Sequence, residues 1–219
     1  YFDYPEEVTL AASGTPLENI DQQSYNVVNF NTKINLLKHL LETDETMQRG
    51  LVFVNNKKIA DMLHERIEPH FEGEFGVIHS NKSQNYRLTT MANFQDNLLR
   101  GIITTDIMAR GLDISNITHV INFEMPELPE LYMHRIGRTG RADATGTALS
   151  FVTQREQEFK IESELLMNYE IPVLEFPASV EISTLLIGPE KDKQPVKFLM
   201  KKVKLEGDGA KKKKSKKNK

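Results

Sequence analysis

The chain has 219 residues, of which 39% are hydrophobic and 27% are charged, and these values suit one domain with a packed core and polar ends. It contains no cysteine, which excludes disulfides and thiolate metal sites and is typical of a reducing, cytoplasmic environment. No apolar run approaches the ~20 residues that a membrane-spanning helix needs, so no membrane contact is expected. Because the chain starts at Tyr1 and not at methionine, we expect a further segment before it.

The net charge of −3 conceals an uneven distribution of charge along the chain. Residues 200–219 carry ten lysines and two acidic residues, a net charge of +8, so the rest of the chain carries −11. Such a tail has too few apolar side chains to form a core, and we predict that it is disordered. Its charge density favours a sequence-independent tether for nucleic acid, and a solubilising end is the alternative interpretation.

The predicted strands and helices alternate along most of the chain. Residues 1–23 are polar and rich in turn-forming residues, which is typical of a linker between domains. Strands are predicted at residues 24–30, 50–54, 75–78, 101–105, 117–123 and 147–152. Repeated strand–helix units predict an α/β fold with a mostly parallel sheet covered by helices on both faces. We assign this domain to residues 24–177, and residues 178–219 to a C-terminal extension that ends in the basic tail.

Capping residues and apolar spacing predict where the helices begin. Thr32 is predicted to cap the first helix, Asn55 or Asn56 to open the second, and Ser83 to cap the third. In the third helix, the side chains predicted to point inward are Leu88, Met91 and Phe94. Pro129 begins a fourth helix, at the first-turn position that proline favours.

Polar residues directly follow several of the predicted strands. They are Asn55, Asn56, His79, Ser80, Thr105, Asp106 and Glu124. In an open α/β sheet, ligands bind beyond the carboxyl ends of the strands. The sequence therefore predicts that the carboxyl edge of the sheet is the working surface.

Residues 134–141 read HRIGRTGR and contain three arginines and two glycines. Arg138 and Arg141 are three positions apart and would share one face of a helical turn. Guanidinium groups are permanently charged, and their planar fork suits phosphate oxygens. We interpret these two arginines as directed at a polyphosphate, whereas a basic surface patch paired with neighbouring acids is the alternative.

This octapeptide resembles the arginine-rich motif in the second RecA-like lobe of DEAD-box RNA helicases. Three further stretches match that lobe in order and spacing: LVFV at 51–54, SQNYR at 83–87 and TTDIMARGLDI at 104–114. The resemblance covers roughly residues 25–175, and the overall texture and basic tail are most similar to bacterial RhlE-type members. It implies a three-layer RecA-like domain that forms the C-terminal lobe of an ATP-dependent RNA helicase.

The resemblance implies that four residues bind ATP or act in its hydrolysis. Arg138 and Arg141 correspond to arginine fingers that act in hydrolysis, and Gly111 and Asp113 to ATP-binding residues. Asp113 is implied to accept a hydrogen bond from the ribose hydroxyl. Taken alone, Asp113 would be interpreted as a solvated turn residue.

RNA contacts and coupling between lobes are implied for two further groups of residues. The RNA-binding group is Asn56, Arg87 and Thr105, and the group that couples the ATP site to the other lobe is Arg110, His134 and Arg135. Many family members carry threonine at the position of Asn56, and His-Gly-Asp where this chain has residues 79–81. Taken alone, Arg87 would be a solvated residue on a helix face, and His134 a partly buried structural histidine.

Two motifs of ATP-hydrolysing proteins are absent from the sequence. It contains no G-x-x-x-x-G-K-[ST] phosphate loop and no Asp-Glu-Ala-Asp run for Mg²⁺. Because phosphoryl transfer needs both, we expect an N-terminal RecA-like lobe to supply the phosphate cradle and to hold Mg²⁺, with no metal ligand in this chain. The chain alone is therefore predicted to be inactive. A stand-alone RNA-binding or scaffold module and a lobe of a DNA helicase of the same superfamily are the alternatives.

Overall fold

The structure of the chain is a computed structural model that describes residues 18–106, 116–140 and 145–191. The chain divides into two compact units, Tyr1–Ile187 and Gly188–Lys219. The described part of the second unit is one four-residue helix, Gly188–Lys191. The first unit contains the sheet and the candidate functional site.

Seven strands in the described ranges form one sheet. They are β1 (Ile20–Asn26), β2 (Gly50–Phe53), β3 (Phe75–Ile78), β4 (Gly101–Thr104), β5 (His119–Asn122), β6 (Gly146–Val152) and β7 (Val173–Leu174). Their order is β3-β4-β2-β5-β6-β1-β7, and every pairing between the described strands is parallel. Each residue of β2, β3, β4 and β5 is buried, as expected for parallel strands covered on both faces.

In the described part of the first unit, five helices cover this sheet. They are α1 (Phe30–Thr43), α2 (Lys57–Ile67), α3 (Gln84–Gln95), α4 (Pro129–Ile136) and α5 (Gln157–Met167), with a short 3-10 turn at Gln154–Glu156 before α5. Among the described residues, none of the helices is both long and apolar enough to cross a membrane. Asn56 caps α2, Ser83 caps α3 and Pro129 is the first residue of α4, so these three predictions are confirmed.

The core lies on both faces of the sheet. Successive side chains of β2 point to opposite faces. Val52 joins a large cluster with residues of α1 and α2, whereas Leu51 and Phe53 join a smaller cluster with Phe94 of α3. A third cluster places Tyr132 of α4 beside β6. Helices therefore cover both faces, which confirms the predicted α/β architecture.

The start of the domain differs from the prediction. β1 begins at Ile20, inside the predicted linker 1–23, and ends at Asn26. Asn29 caps α1 because its extended backbone lets Oδ1 accept hydrogen bonds from the backbone N–H and the hydroxyl of Thr32, both at 2.9 Å. The prediction that Thr32 is the cap was therefore wrong, since this residue already lies in the first turn.

The first unit also extends beyond the predicted boundary at residue 177. Val180 is buried in the large core cluster. Asn29 Nδ2 donates to the Ser183 carbonyl at 2.5 Å, and Asn35 Nδ2 donates to the Glu181 carbonyl at 2.9 Å. These contacts attach residues 178–187 to α1, so this part of the predicted extension belongs to the first unit.

One predicted core residue of α3 is exposed. Leu88 has an exposed fraction of 57%, whereas the buried residues of this helix are Thr90 and Phe94. Met91 is partly buried and packs against the core cluster that contains Phe94. The helix contacts the sheet through a narrower stripe than its apolar residues suggest, so the inward orientation of Leu88 was wrong.

Candidate functional site

The carboxyl ends of the central strands bring the predicted polar residues together. The register pairs Phe53 of β2 with Thr104 of β4 on one side and with Asn122 of β5 on the other. The residues that follow these strands therefore begin at the same edge of the sheet. We call this the carboxyl edge.

Arg135 occupies the centre of the carboxyl edge. Its Nε and Nη2 donate to the two carboxylate oxygens of Asp106 at 2.6 and 2.8 Å. Its Nη1 donates to Asn122 Oδ1 at 3.2 Å and to the Glu124 carbonyl at 2.7 Å, and Nη2 also donates to Asn55 Oδ1 at 2.9 Å. We call these five residues the Arg135 cluster.

Within this cluster, every N–H donor of the Arg135 guanidinium makes a hydrogen bond. An arginine side chain has five N–H donors, and its bonds to Asp106, Asn122, Glu124 and Asn55 account for all of them. The side chain of Arg135 is 1% exposed, and its Cζ lies 5.1 Å from the centre of the Phe53 ring. Every donor of Arg135 is therefore engaged among the described residues, and the coupling role implied for Arg135 stays a prediction.

Glu124 joins the Arg135 cluster through its carbonyl group, and its carboxylate makes a separate contact. Its Oε2 accepts a hydrogen bond from the backbone N–H of Asn55 at 2.7 Å, so a residue after β5 is bonded to a residue after β2. Burial raises the pKa of Glu124, and the Asn55 N–H together with the charges of Lys33 and Arg135 offsets only part of this effect. Protonation of Glu124 is therefore easier than for an exposed glutamate.

A second buried ion pair holds the segment after β5. Lys33 Nζ lies 2.6 Å from Glu156 Oε2 and also donates to the Phe123 carbonyl at 2.7 Å. Glu156 accepts further hydrogen bonds from the Met125 and Thr153 backbone N–H groups, at 3.0 and 2.8 Å. The start of α1, the chain after β5 and the turn after β6 are thus joined at the same edge.

Neighbouring residues of helix α4 point in different directions, some into the core and some to the solvent. Tyr132, Arg135 and Ile136 are buried, whereas His134 is exposed. The default interpretation of His134 as a partly buried structural residue was therefore wrong. Arg138 is half-buried just after the end of the helix, where its backbone N–H donates to the Arg135 carbonyl at 3.0 Å.

The turn after Arg138 is closely packed against the sheet. Thr139 Oγ1 donates to the Ile117 carbonyl at 2.5 Å. Gly140 has a φ of +65°, and a Cβ at this position would lie 2.6 Å from Ile20 Cγ1. Glycine is therefore required at 140 both by the backbone conformation and by the lack of space.

The three residues predicted to contact RNA lie at or near the carboxyl ends of neighbouring strands. Asn56 is exposed, and its Oδ1 accepts the Ile59 backbone N–H at 3.0 Å as the cap of α2. Thr105 directly follows β4 and is largely buried. Arg87 lies in the first turn of α3, is half-buried, and donates to Gln84 Oε1 on the same helix. β3, β4 and β2 are adjacent in the sheet, so these residues belong to the same side of the edge.

Four predicted site residues lie outside the described residues: Arg110, Gly111, Asp113 and Arg141. Within the described ranges, no group of three His, Cys, Asp or Glu side chains could hold a metal ion.

Residues 32–143, slightly more than half of the chain, match the family of helicase conserved C-terminal domains. The chain belongs to this family. The DEAD-box ATP-dependent RNA helicase CshA of Geobacillus kaustophilus is 40% identical over 156 residues, which are 71% of this chain and 33% of the relative. This helicase C-terminal domain therefore spans about one third of the length of the curated relatives it matches.

Solved DEAD-box structures share the fold of this helicase C-terminal domain. The E. coli DEAD-box protein SrmB, bound to regulator of ribonuclease activity A, matches with a TM-score of 0.68 and 28% identity over 72% of this chain and 91% of that chain. S. cerevisiae Dbp5 bound to RNA and ADP BeF3 matches with a TM-score of 0.66 and 27% identity over 71% of this chain and 41% of that chain. These likenesses confirm the RecA-like fold that the motifs implied.

Two buried polar residues of the site were not predicted from the sequence of this helicase C-terminal domain. Asn122 is fully buried at the end of β5, and its position within the otherwise apolar run VINF was a signal for a buried hydrogen bond. Lys33 is buried in α1, three and four positions before the buried residues Leu36 and Leu37. A lysine on the apolar face of a helix needs a buried partner, which Glu156 provides.

Proposed function

We propose that this chain is the C-terminal RecA-like lobe of a DEAD-box ATP-dependent RNA helicase. The observation that carries the proposal is the Arg135 cluster, in which one buried guanidinium joins Asp106, Asn55 and Glu124. Asp106 directly follows the predicted RNA contact Thr105, and Arg135 lies between His134 and Arg138. The cluster thus connects the chain segments that carry the implied RNA-binding and ATP-binding residues.

In this proposal the lobe contributes arginines to ATP hydrolysis. Arg138 and Arg141 stabilise the charge on the transferred phosphoryl group, and Gly111 and Asp113 contact the nucleotide. Dbp5, a relative in fold, has been solved with RNA and ADP BeF3, so a protein that contains this fold binds both types of ligand. Because the sequence contains no phosphate loop and no Asp-Glu-Ala-Asp run, we assign the Mg²⁺ ligands to an N-terminal lobe.

RNA is the proposed macromolecular ligand. Asn56, Arg87 and Thr105 contact the sugar–phosphate backbone, a mode of binding that carries no direct sequence information. His134, which is exposed beside the Arg135 cluster, and Arg110 couple the site to the N-terminal lobe. The basic tail adds a tether without fixed geometry.

The partner of this surface is the N-terminal RecA-like lobe of the same protein, and the chain alone is inactive. The curated relatives are about three times longer than the part they share with this chain, which supports a further lobe. Membership of the RhlE-type subgroup stays a prediction, since the relatives of 39% and 40% identity are named CshA. A cytoplasmic location also stays a prediction.

Steady-state ATPase and duplex-unwinding assays test this proposal. We expect RNA-stimulated ATP hydrolysis by the two-lobed protein and none by the chain of 219 residues alone. RNA binding by the two-lobed protein without any hydrolysis would favour a scaffold module. Stimulation by DNA that equals or exceeds stimulation by RNA would favour a DNA helicase. Hydrolysis by the isolated chain would overturn the assignment of the phosphate cradle to another lobe.

A further inference from the structure

A buried histidine is one of the residues that attach the segment between β3 and α3 to α2. His79 is 2% exposed, and its Nε2 lies 2.9 Å from Asp61 Oδ1 on α2. Its Nδ1 lies 3.3 Å from the backbone nitrogen of Asn81, which can only donate. Nδ1 is therefore the acceptor, and in the neutral ring the proton is on Nε2 and points to Asp61. Two partners thus fix the tautomer and the orientation of the ring.

Asp61 also holds the other end of this segment. The same Oδ1 atom lies 2.8 Å from Lys82 Nζ, and the Lys82 backbone N–H donates to the His79 carbonyl at 3.0 Å. A second residue of α2, Lys57, donates from Nζ to Asn81 Oδ1 at 2.8 Å. Residues 79–82 are therefore bonded to α2 through three side chains and folded back on themselves by the backbone bond between Lys82 and His79.

The carboxylate of Asp61 stays charged near neutral pH. Burial acts to raise the pKa of Asp61, but the hydrogen bonds from His79 and Lys82 and the charge of Lys82 outweigh it, and the pKa is lowered overall. Lowering the pH toward the acidic range would be needed to remove the charge. The contacts of Asp61 are therefore present under the conditions in which a nucleic-acid ligand would bind.

This network gathers positive charge on a domain that is otherwise acidic. The first turns of α2 and α3 and the segment between β3 and α3 carry Lys57, Lys58, Lys82 and Arg87, with Asp61 as the carboxylate among them. Four cations and one carboxylate leave a local charge of about +3, whereas the chain before residue 200 carries −11. Each lysine ammonium has three donors, so Lys57 and Lys82 keep donors beyond their bonds to Asn81 and Asp61.

The same network lies between two of the proposed RNA contacts. Asn56 caps α2 one residue before Lys57, and Arg87 lies in the first turn of α3, which starts two residues after Lys82. Lys82 Nζ also lies 5.4 Å from the centre of the Tyr86 ring, next to Arg87. A shift of residues 79–82 would therefore change the spacing between the cations on α2 and those on α3.

We propose that Asp61 is a positioning residue for nucleic-acid binding, which holds Lys57, Lys82 and Arg87 as one preformed phosphate-binding surface. This inference rests on the proposed RNA-binding function and adds residues to its surface. For the loss of this carboxylate, the proposal and simple electrostatics predict opposite changes in RNA affinity. Removing a carboxylate from a basic surface strengthens RNA binding if only net charge matters, but weakens it if the carboxylate positions the cations.

The test uses the two-lobed protein and its Asp61→Ala variant, with Asp96→Ala as the matched control. Asp96 is exposed at the C-terminal end of α3, so the control loses the same charge without touching the network. The Asp61 side chain is 44% exposed and lies within a helix, where alanine is favoured, so the variant is expected to fold. The probe is a single-stranded oligouridine RNA, with a non-hydrolysable ATP analogue present.

Two readouts are expected to change together. Amide hydrogen exchange of Asn81 and Lys82 is expected to become at least about tenfold faster in Asp61→Ala, because the ring and carbonyl of His79 that accept these N–H groups are then no longer held in place. RNA affinity is expected to fall by roughly three- to tenfold, as for two solvent-screened charge contacts, and to stay equal or rise slightly in Asp96→Ala. Asp61→Asn retains an acceptor for His79 and is expected to fall between wild type and Asp61→Ala in both readouts.

The outcomes separate this inference from the proposed function. RNA affinity of Asp61→Ala that equals or exceeds that of wild type would overturn the positioning role, even if exchange becomes faster. An equal loss in Asp96→Ala would also overturn it, since a general charge or folding effect would then explain both. If wild type itself binds no RNA, the proposed function fails and this inference fails with it.

Discussion

Replacing Arg135 is predicted to destabilise the fold strongly, before any effect on activity. In Arg135→Leu, the carboxylate of Asp106 loses two charge-assisted hydrogen bonds, and the side-chain oxygens of Asn55 and Asn122 lose their donors. Leucine fills part of the volume but satisfies none of these acceptors. The physical reason for the destabilisation is the unpaired polar groups and not the missing positive charge as such.

The size of the destabilisation in Arg135→Leu follows from the burial of the groups that lose their partner. Removing one partner of a buried ion pair costs about 3–5 kcal/mol, and we take about 3 kcal/mol because the Asp106 side chain is 20% exposed and can regain water. Asn122 is fully buried, and leaving its acceptor unpaired adds about 1 kcal/mol. We therefore expect Arg135→Leu to lower the free energy of unfolding by about 4 kcal/mol. Arg135→Lys keeps the charge but loses the planar fork, and is expected to fall between wild type and Arg135→Leu.

The assay is urea unfolding followed by far-ultraviolet circular dichroism. Arg66→Leu is the control, since Arg66 is exposed on α2 and its replacement is expected to change stability by less than about 0.5 kcal/mol. In a double-mutant cycle with Asp106→Ala, the two effects are expected to be less than additive by at least about 1.5 kcal/mol, because the second change removes an already unpaired group. A destabilisation below about 1 kcal/mol for Arg135→Leu, or strict additivity in the cycle, would refute the reasoning.

Three further predictions concern catalysis, RNA binding and pH. In the two-lobed protein, Arg138→Ala is expected to lower kcat by about 10³ to 10⁵ with little change in KM, and the reverse pattern in steady-state kinetics would exclude a finger role. Deleting residues 210–219 is expected to reduce the slope of log RNA affinity against log salt concentration by about 0.7 for each phosphate that the tail neutralises. Arg87→Ala is expected to change this slope by the equivalent of one phosphate at most, and to weaken binding mainly when an ATP analogue is present. Because the pKa of Glu124 is raised by burial, the folded state binds a proton more tightly than the unfolded state, so unfolding free energy is expected to fall as pH rises above the ordinary value of 4.5. Glu124→Gln keeps an acceptor for the Asn55 N–H and is expected to remove that part of the pH profile, and an identical profile in both proteins would contradict it.

The sequence by itself determined the order of the first six strands and of the helices, but not the short strand β7. The mostly apolar runs of β2 and β4 predicted strands, because parallel strands are covered on both faces. All four residues of each strand are indeed buried. Asn56, Ser83 and Pro129 were located correctly because caps and first-turn prolines act within about four residues of the chain. The family and the RecA-like fold followed from four short motifs in a fixed order, since each motif is a local pattern.

Only the tertiary structure decided which polar side chains are buried and what they bond. The chain at 133–137 does not show that Arg135 points inward and His134 outward, because about two turns of helix give too short a period to fix the buried face. Nor does it show that the acceptors of Arg135 come from residues 29 and 80 positions away. The attachment of residues 178–187 to α1 and of His79 to Asp61 has the same origin. A buried charge or amide requires a partner, but which partner it finds depends on which distant elements the sheet brings side by side.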